Sequence, residues 1–411
     1  MPLPPIPRHI QFMRSIVWIW AFSVITFVLQ PFLRVIARGR RNVPRSGAGL
    51  LVANHVTFFD PATVSWASLR RCHGVGTDQI LRVPIFGRMV PWLSAIPFAK
   101  GMKDRDAMEE IQRRIDIGSM VLIFPEGDRC WTGRMRPVGA GIGRLAVRLG
   151  VPVSFCRQHT GHLQWPRWAR YPRFIPIEME FLPPVTYPAD ADPQAVTDDI
   201  VRRVSIDPEA PRASRWSLGW RLAHGLPKFL WACPTCYARD ALAVDPADGD
   251  RVMCASCGAA WRVDLHARLH PDGGDQDVSV DAAHESILAH FGPLPIEDSS
   301  RYQTDQVVLE DDVSVGLVRR GVRIPDPLGV GTMQLHPGGL RFRPQAGEAL
   351  DIPFGDVKAV LMQMGGQLQV RTADANHDLT PHASSKLMWK HFLDRHLAAF
   401  RTRHGGDAPL G

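Results

Sequence analysis

Apolar runs alternate with amphipathic stretches along the first half of the chain. Runs with the length and composition of buried strands lie at Leu50–Ala53, Val121–Phe124, Val151–Phe155 and Ile175–Phe181. Apolar residues at helical spacing, with polar residues between them, predict helices over Asp106–Asp116, Gly141–Leu149 and Ala195–Val204. Strand and helix patterns that alternate in this way predict an α/β domain.

The most apolar window of the chain, residues 16–29, lies near its N-terminus. Gln30 and Pro31 interrupt it, so it falls short of the ~20 apolar residues of a comfortable membrane span. No acidic residue precedes Asp60, whereas several arginines flank the window. We predict a membrane-inserted or re-entrant helix within residues 1–45, with its basic flanks on the cytoplasmic face. A buried core helix is the alternative, and the lack of a small-residue cleavage site argues against a secretory signal.

A polar pair stands at the end of the first predicted strand. Asn54 and His55 follow Leu50–Ala53 directly, and Asp60 comes five positions after the histidine. Asp60 and Pro61 predict a helix start, with the aspartate as N-cap and the proline at the first helical position. The carboxylate could also reach back and hold the imidazole in one tautomer, leaving its other nitrogen to take a proton. The plainer interpretation is a capping aspartate and a solvated loop histidine.

A second polar stretch, residues 125–129, follows the predicted strand Val121–Phe124. Its sequence is Pro-Glu-Gly-Asp-Arg. Gly127 allows a ligand to approach the backbone, while Glu126 and Arg129 can hold a polar, phosphate-bearing molecule. For the arginine, an ion pair with the neighbouring aspartate is the alternative.

Four blocks in a fixed order resemble the glycerolipid acyltransferase family, typified by lysophosphatidate (1-acylglycerol-3-phosphate) acyltransferase. The blocks are Asn54–Asp60, Ile96–Lys100, Phe124–Gly127 and Gly150–Val153. Four ordered blocks are far more specific than any one of them. The resemblance covers roughly residues 10–205.

The resemblance implies a reaction and a set of site residues. His55 would be the general base toward the hydroxyl of a lysophospholipid, and Asp60 would orient it. Substrate-binding roles would fall to Asn54, Lys100, Glu126, Gly127 and Arg129. The acyl donor would be a thioester, either acyl-CoA or acyl carrier protein.

Two departures from the family pattern leave the acceptor open. The family usually has Thr-Arg-Ser after Glu-Gly, whereas this chain has Asp128, Arg129 and Cys130. Lys100 stands where arginine is commoner and offers a point charge instead of a bidentate fork. Lysophosphatidate is the simplest acceptor, and another lysolipid such as lyso-ornithine lipid is an alternative. A lipid-binding scaffold without turnover is a further alternative.

The seven cysteines favour a metal site in a reducing compartment over a disulfide scaffold. Four form two C-x-x-C pairs: Cys233, Cys236, Cys254 and Cys257. Two such pairs at this separation can close a tetrahedron of thiolates, and Gly258 allows the tight turn after the second pair. We therefore predict a zinc ribbon over residues 231–266, with a redox pair as the weaker alternative.

The rest of the chain predicts a polar joint and a mainly β domain. Residues 267–305 are polar and acidic, which is typical of a flexible linker. Strands are predicted around 333–335, 340–342, 357–362 and 368–370, with Gly365-Gly366 as a hairpin turn and Lys386–Phe400 as a closing helix. This order, over residues 306–405, resembles the pleckstrin-homology fold in architecture alone, which would suggest lipid or protein contact.

Charge narrows the classes of partner. A net charge of +7 and a pI near 9.2 suit an anionic membrane surface, CoA or acyl carrier protein, or nucleic acid. Few basic residues surround the cysteine pairs, so no nucleic-acid partner is expected. The sequence predicts an α/β acyltransferase domain (46–205) behind an N-terminal membrane-associated helix, a linker (206–230), a small zinc ribbon, and a mainly β C-terminal domain closed by a helix.

Overall fold

The chain folds into two compact units. The computed structural model describes residues 18–20, 22–77, 95–98, 105–210, 217–274, 276–293, 306–318, 326–362 and 367–404. Unit 1 comprises Met1–Leu222 with Leu265–Ala267, and unit 2 comprises Ala223–Asp264 with Arg268–Gly411.

A seven-stranded sheet forms the centre of unit 1. Its strands are β1 (Ile36–Arg38), β2 (Gly49–Ala53), β3 (Cys72–Thr77), β4 (Ile96–Phe98), β5 (Met120–Ile123), β6 (Val153–Gln158) and β7 (Glu178–Val185). They lie in the order β1-β7-β6-β2-β5-β3-β4, and each neighbouring pair is parallel except β6 and β7. Because β2 and β5 are parallel neighbours, the loops that follow them leave the same edge of the sheet.

Helices accompany the sheet in unit 1. They are α1 (Gln30–Leu33), α2 (Asp60–Ala67), α3 (Arg105–Asp116), α4 (Gly141–Leu149), α5 (Gly161–Gln164) and α6 (Pro193–Val204). Alternate residues of β2 pack into two different apolar clusters, one on each face of the sheet. Leu50 and Val52 pack with α3, α4 and α6, while Leu51 and Ala53 pack with α2 and the N-terminal segment. Burial on both faces explains why β2 and β5 are continuous apolar runs instead of alternating ones.

The α/β domain expected from the sequence is confirmed, and the helix over Gly141–Leu149 has the expected bounds. At Gly143 an added Cβ would lie 1.9 Å from the carbonyl oxygen of Pro193, so close packing against α6 explains this glycine.

The strand predicted at Ile175–Phe181 begins instead at Glu178. Pro176, which has no N–H to donate, precedes it within an irregular segment.

The apolar N-terminal window is helical where it is described. Residues 18–20 and 22–24 are helical, a π-helix follows over Ile25–Leu29, and α1 continues through Pro31. Residues 16, 17 and 21 of the predicted helix lie outside the described residues. Within the described part of the chain, no helix combines the length and the apolar content needed to cross a bilayer.

Unit 2 contains a five-stranded antiparallel sheet around the cysteine pairs. After α7 (Leu226–Phe229) come β8 (Leu242–Val244), β9 (Arg251–Cys254), β10 (Ala260–Val263), β11 (Arg268–Pro271), β12 (Val278–Ser279) and α8 (Val280–His290). The strands lie in the order β12-β11-β10-β9-β8.

The prediction of a flexible joint over 267–305 is wrong for its first half. Strands β11 and β12 and helix α8 occupy that stretch. Leu269, Val280 and Ile287 are buried, so a few apolar residues in a polar stretch suffice to fix it. Ser279 caps the helix, since its hydroxyl accepts from the N–H of Ala282 at 2.9 Å.

A C-terminal β domain closed by a helix is also present, as expected. Its elements are β13 (Leu309–Val318), β14 (Asp326–His336), β15 (Gly339–Pro344), β16 (Leu350–Pro353), β17 (Ala359–Met362), β18 (Leu368–Arg371), β19 (Asn376–Pro381) and α9 (Lys386–Arg403). The sheet runs β16-β15-β14-β13-β19-β18-β17, so the first strand pairs with both the second and the last. The predicted turn at Gly365-Gly366 lies outside the described residues.

Candidate active site

The loop between β2 and α2 brings His55 and Asp60 together. The imidazole Nδ1 lies 2.8 Å from the carboxylate Oδ2 of Asp60. The aspartate side chain is wholly buried, while 19% of the histidine side chain is exposed. A buried carboxylate that accepts from Nδ1–H leaves Nε2 with the lone pair, which is the arrangement of an oriented proton acceptor.

Three further donors hold the carboxylate of Asp60. The backbone N–H groups of Val56 and Thr57 donate to Oδ2 at 2.6 and 2.9 Å, and the Thr57 hydroxyl donates to Oδ1 at 2.5 Å. The predicted N-cap role of Asp60 is wrong, because the helix begins at this residue and Phe59 is its N-cap. The carboxylate turns back to the loop because the loop offers it more donors.

The loop after β5 packs against His55. The Phe124 ring stacks on the imidazole with centroids 4.3 Å apart. The N–H of Cys130 donates to the His55 carbonyl at 2.8 Å, and the His55 N–H donates to Oε1 of Glu126 at 2.7 Å. The histidine is therefore held by its backbone and its ring as well as by Asp60.

Glu126 is a buried carboxyl between the two loops. Its other oxygen, Oε2, accepts from the N–H of Arg136 at 3.2 Å. Burial raises the pKa of Glu126 to about 7, and the nearby charge of Asp60 adds to the rise against the two N–H donors. The sequence predicts a substrate contact for Glu126, and in the structure its two oxygens accept hydrogen bonds from two backbone N–H groups.

Asp128 joins two arginines that lie farther along the chain. Its Oδ2 lies 3.2 Å from Nη1 of Arg136 and 3.0 Å from Nη1 of Arg167. Arg129 contributes its backbone N–H to Oδ1 at 2.9 Å, and its carbonyl accepts from Arg167 at 2.8 Å. The ion pair with Asp128 was the alternative for the Arg129 guanidinium, and in the structure Asp128 instead pairs with Arg136 and Arg167.

The other predicted substrate-binding residues have different surroundings. Asn54 is buried, with its Nδ2 donating to the Gln158 carbonyl at 3.1 Å and its Oδ1 accepting from the Gln158 N–H at 2.8 Å. Gly127 is exposed and has a φ of +64°, a conformation that favours glycine. Lys100 lies outside the described residues.

Sequence reasoning missed four residues that shape this site. Thr57 lies inside the first block, where its spacing from Asp60 is the only available signal. Gln158, Arg136 and Arg167 act through contacts with distant residues. No local pattern marks them, because their partners are set by the fold.

The four paired cysteines of unit 2 come together as one cluster. Their sulfur atoms lie within 4.8 Å of one another, and Sγ of Cys233 and Cys257, like Sγ of Cys236 and Cys254, are 3.8 Å apart. Sulfurs at about 2.3 Å from a tetrahedral zinc ion would lie about 3.8 Å apart, so this donor set fits zinc.

The two cysteine turns share one backbone geometry. The N–H of Tyr237 donates to the Cys233 carbonyl at 2.9 Å, and the N–H of Gly258 donates to the Cys254 carbonyl at 3.0 Å. Both donors have positive φ, +57° and +74°. Because both pairs have the same turn, the structure favours one site that uses all four cysteines over a redox role for one pair.

Comparisons with known proteins found a matching family model and several similar proteins. A family model described as "Acyltransferase" matches residues 34–156. A 1-acyl-sn-glycerol-3-phosphate acyltransferase of Pseudomonas aeruginosa is 27% identical over 210 residues, 47% of this chain and 76% of the relative. The chloroplastic 1-acyl-sn-glycerol-3-phosphate acyltransferase BAT2 of Brassica napus is 28% identical over 148 residues, 35% of this chain and 41% of the relative.

Two more similarities extend the comparison. The human lysophospholipid acyltransferase LPCAT4 is 34% identical over 110 residues, 26% of this chain and 21% of that protein. A crystal structure of the 1-acyl-sn-glycerophosphate acyltransferase PlsC from Thermotoga maritima aligns with a TM-score of 0.36 and 18% identity, over 47% of this chain and 87% of that chain. The chain thus spans less than half the length of the Brassica and human relatives.

The matched residues include the β2 and β5 loops with His55, Asp60 and Glu126. The part of the chain that is similar to acyltransferases therefore contains this site.

Proposed function

We propose that this protein transfers a fatty acyl group from an acyl thioester, acyl-CoA or acyl carrier protein, to the hydroxyl of a lysophospholipid. The simplest case converts lysophosphatidate to phosphatidate. The observation that carries the proposal is the 2.8 Å contact between His55 Nδ1 and the buried Asp60 carboxylate. Relatives named 1-acyl-sn-glycerol-3-phosphate acyltransferase support the choice of acceptor.

The proposed reaction is a direct transfer. The acceptor hydroxyl attacks the thioester carbonyl while its proton passes to Nε2 of His55. The C–S bond then breaks, and the thiolate leaves with the proton from the imidazolium. Asp60 stabilises the imidazolium while it exists, and a general base of this kind contributes ~10²–10⁴ in rate.

A covalent acyl-cysteine is not required. Cys130 is the cysteine beside the site, and its backbone contacts His55. Burial raises the pKa of the Cys130 thiol well above its ordinary value, so the thiolate nucleophile is disfavoured. The acceptor hydroxyl is therefore assigned as the attacking group.

Arg129 is the proposed contact for the acceptor phosphate, with Lys100 as a second cation. Asn54, Glu126 and Gly127 are assigned to shaping this site, since the first two bond to backbone groups. The departures at Asp128 and Lys100 keep another lysophospholipid, or lyso-ornithine lipid, as the alternative acceptor. The similarity to LPCAT4 favours keeping the choice open.

The N-terminal segment is proposed to contact the cytoplasmic face of a membrane. Five apolar residues there are each more than half exposed: Ile19, Trp20, Phe27, Val28 and Phe32. Apolar exposure beside arginines suits an anionic lipid surface. Phe27→Ser with Phe32→Ser should weaken flotation of the protein with anionic vesicles, and unchanged flotation would reject this contact surface.

The cysteine cluster is proposed to hold a structural zinc ion. Elemental analysis should give one metal per chain, which Cys233→Ser with Cys254→Ser should remove. Cys72→Ala, at a buried cysteine of unit 1, should keep it. If protein purified without chelator contains no metal, the zinc site is rejected.

We also propose that the C-terminal β domain is a pleckstrin-homology-like module. This proposal rests on the order of its strands and its closing helix.

The transfer itself has a direct test. Purified full-length protein with labelled acyl-CoA or acyl carrier protein and lysophosphatidate should yield labelled phosphatidate. His55→Ala should abolish the product, while His159→Ala should not, although His159 Nε2 also lies 3.3 Å from a carboxylate, that of Glu180. Lysolipid binding without product from any donor would favour the scaffold alternative.

A further inference from the structure

Arg167 is a buried cation beside the proposed acceptor loop. Only 4% of its side chain is exposed, and its guanidinium lies 4.4 Å from the centroid of the Trp131 ring. Removing a guanidinium from water is unfavourable unless it is paired. Burial lowers the pKa of Arg167, and the charge of Asp128 opposes that effect.

The contacts of Arg167 converge on one short segment. Nη1 lies 3.0 Å from the Asp128 carboxylate and 2.8 Å from the Arg129 carbonyl, and the ring it covers belongs to Trp131. The same segment touches the proposed base, because Cys130 donates to the carbonyl of His55. One side chain from elsewhere in the sequence thus holds three residues of the loop.

We propose that Arg167 is a positioning residue that, with Asp128, holds residues 126–131 so that Arg129 faces the acceptor phosphate. This assignment rests on the proposed acyl transfer to a lysophospholipid. Arg167 acts through the loop, since its side chain is 4% exposed and its Nη1 contacts Asp128 and the Arg129 carbonyl.

The chemistry of the pair explains both residue types. A guanidinium can donate to a carboxylate and a carbonyl while its flat face lies on an indole ring, whereas an ammonium offers a point charge without that face. Asp128 occupies the position where the family pattern has threonine. A neutral threonine at this position could not balance the buried charge of Arg167. We therefore treat Asp128 and Arg167 as one interacting pair.

Arg173 offers a matched control within unit 1. It is a buried arginine that lies 5.2 Å over the ring of Trp168 and donates to the Leu265 carbonyl at 2.7 Å. Its carbonyl partner and its ring partner lie outside residues 126–136. A general loss of stability from removing a buried arginine should appear in both variants.

The experiment compares Arg167→Gln, Arg167→Lys and Arg173→Gln in the full-length protein with labelled acyl-CoA and lysophosphatidate. Arg167→Gln should raise KM for lysophosphatidate about tenfold, a change of ~1.4 kcal/mol, with kcat within about threefold. Arg167→Lys should recover part of that loss. Asp128→Asn should raise KM similarly, and combining it with Arg167→Gln should add little, as expected for one interacting pair.

Backbone hydrogen exchange gives a readout that does not depend on turnover. Exchange over residues 126–136 should accelerate in Arg167→Gln and stay unchanged in Arg173→Gln. An unchanged KM together with equal exchange in both variants would overturn the assignment. If the wild type transfers no acyl group, the proposed function fails, and the exchange comparison alone decides whether Arg167 positions the loop.

Discussion

Two loops leave the same edge of the sheet in unit 1, and they are fixed in different ways. In the β2 loop, residues 54–59, the bonds that orient the imidazole are local, because Asp60 accepts from three residues no more than five positions away. In the β5 loop, residues 124–140, Asp128 pairs with Arg136 of the same loop and with Arg167, which lies outside it. The contact between His55 and Asp60 is therefore local, whereas the pairing of Asp128 with Arg167 depends on the completed fold.

Under the proposed function, this difference suits the two loops to different tasks. A rigid local turn suits a base whose orientation must not vary during proton transfer. The segment of the β5 loop around Arg129 is anchored by Arg167, whereas the ring of the proposed base is oriented by Asp60. We therefore expect substitutions in the β2 loop to act on kcat, and substitutions at the anchors of the β5 loop to act on KM.

The largest effect is expected at Asp60. Asp60→Asn replaces an acceptor by an amide that can donate to Nδ1, which would favour the tautomer without a lone pair on Nε2. We expect kcat for acyl transfer to fall by about 10³-fold or more. The control is Asp199→Asn, at a largely buried carboxylate bonded to Tyr187 and Arg203, which should leave kcat near the wild-type value.

An effect of intermediate size is expected at Glu126. Burial raises the pKa of Glu126 from 4.5 to about 7, so the folded state binds the carboxyl proton more tightly than the unfolded state does. The resulting gain in the free energy of unfolding is fully present below pH 4.5 and is lost as the pH rises through 7. Glu126→Gln lacks this dependence, so the stability of the wild type relative to the variant should fall by roughly 3 kcal/mol over that range. Hydrogen exchange of the β2 amides at pH 5 and pH 8 measures it. A difference that does not change with pH would mean that the carboxyl is not perturbed by burial.

The smallest effect is expected at Thr57. Thr57→Val removes the hydroxyl that donates to Asp60 and keeps the side-chain shape. The variant should lose about 1 kcal/mol of stability, and kcat should fall only several-fold, because the backbone donors to Asp60 remain. Thermal unfolding and steady-state kinetics check both values. A loss of kcat as large as that of Asp60→Asn would show that the hydroxyl, and not the turn, sets the carboxylate.

Local sequence patterns predicted the parts of the site that are built from near neighbours. The apolar runs of β2 and β5 and the spacing of His55 and Asp60 predicted that the proposed base and its partner lie in one turn. The repeated C-x-x-C spacing likewise placed the cysteines together. In each case the decisive contact spans few residues, or a repeated unit, so the pattern is visible in the sequence.

Contacts between distant residues could not be predicted in this way. Arg167 is 39 positions from Asp128, and Gln158 is 104 positions from Asn54. The N-cap prediction at Asp60 failed for a related reason, since the aspartate had competing donors that its local motif did not reveal. The sequence shows which side chains can donate or accept hydrogen bonds. Which of them pair with each other depends on the tertiary structure.

The most direct test of the account is the single-turnover rate of acyl transfer in a double-mutant cycle at His55 and Asp60. His55→Ala, Asp60→Asn and the combined variant are compared with the wild type in matched lipid micelles. If the two side chains act as one unit, the combined loss should equal that of His55→Ala alone. Transfer by His55→Ala at the wild-type rate, or losses that multiply, would contradict the assignment of this pair as the catalytic base.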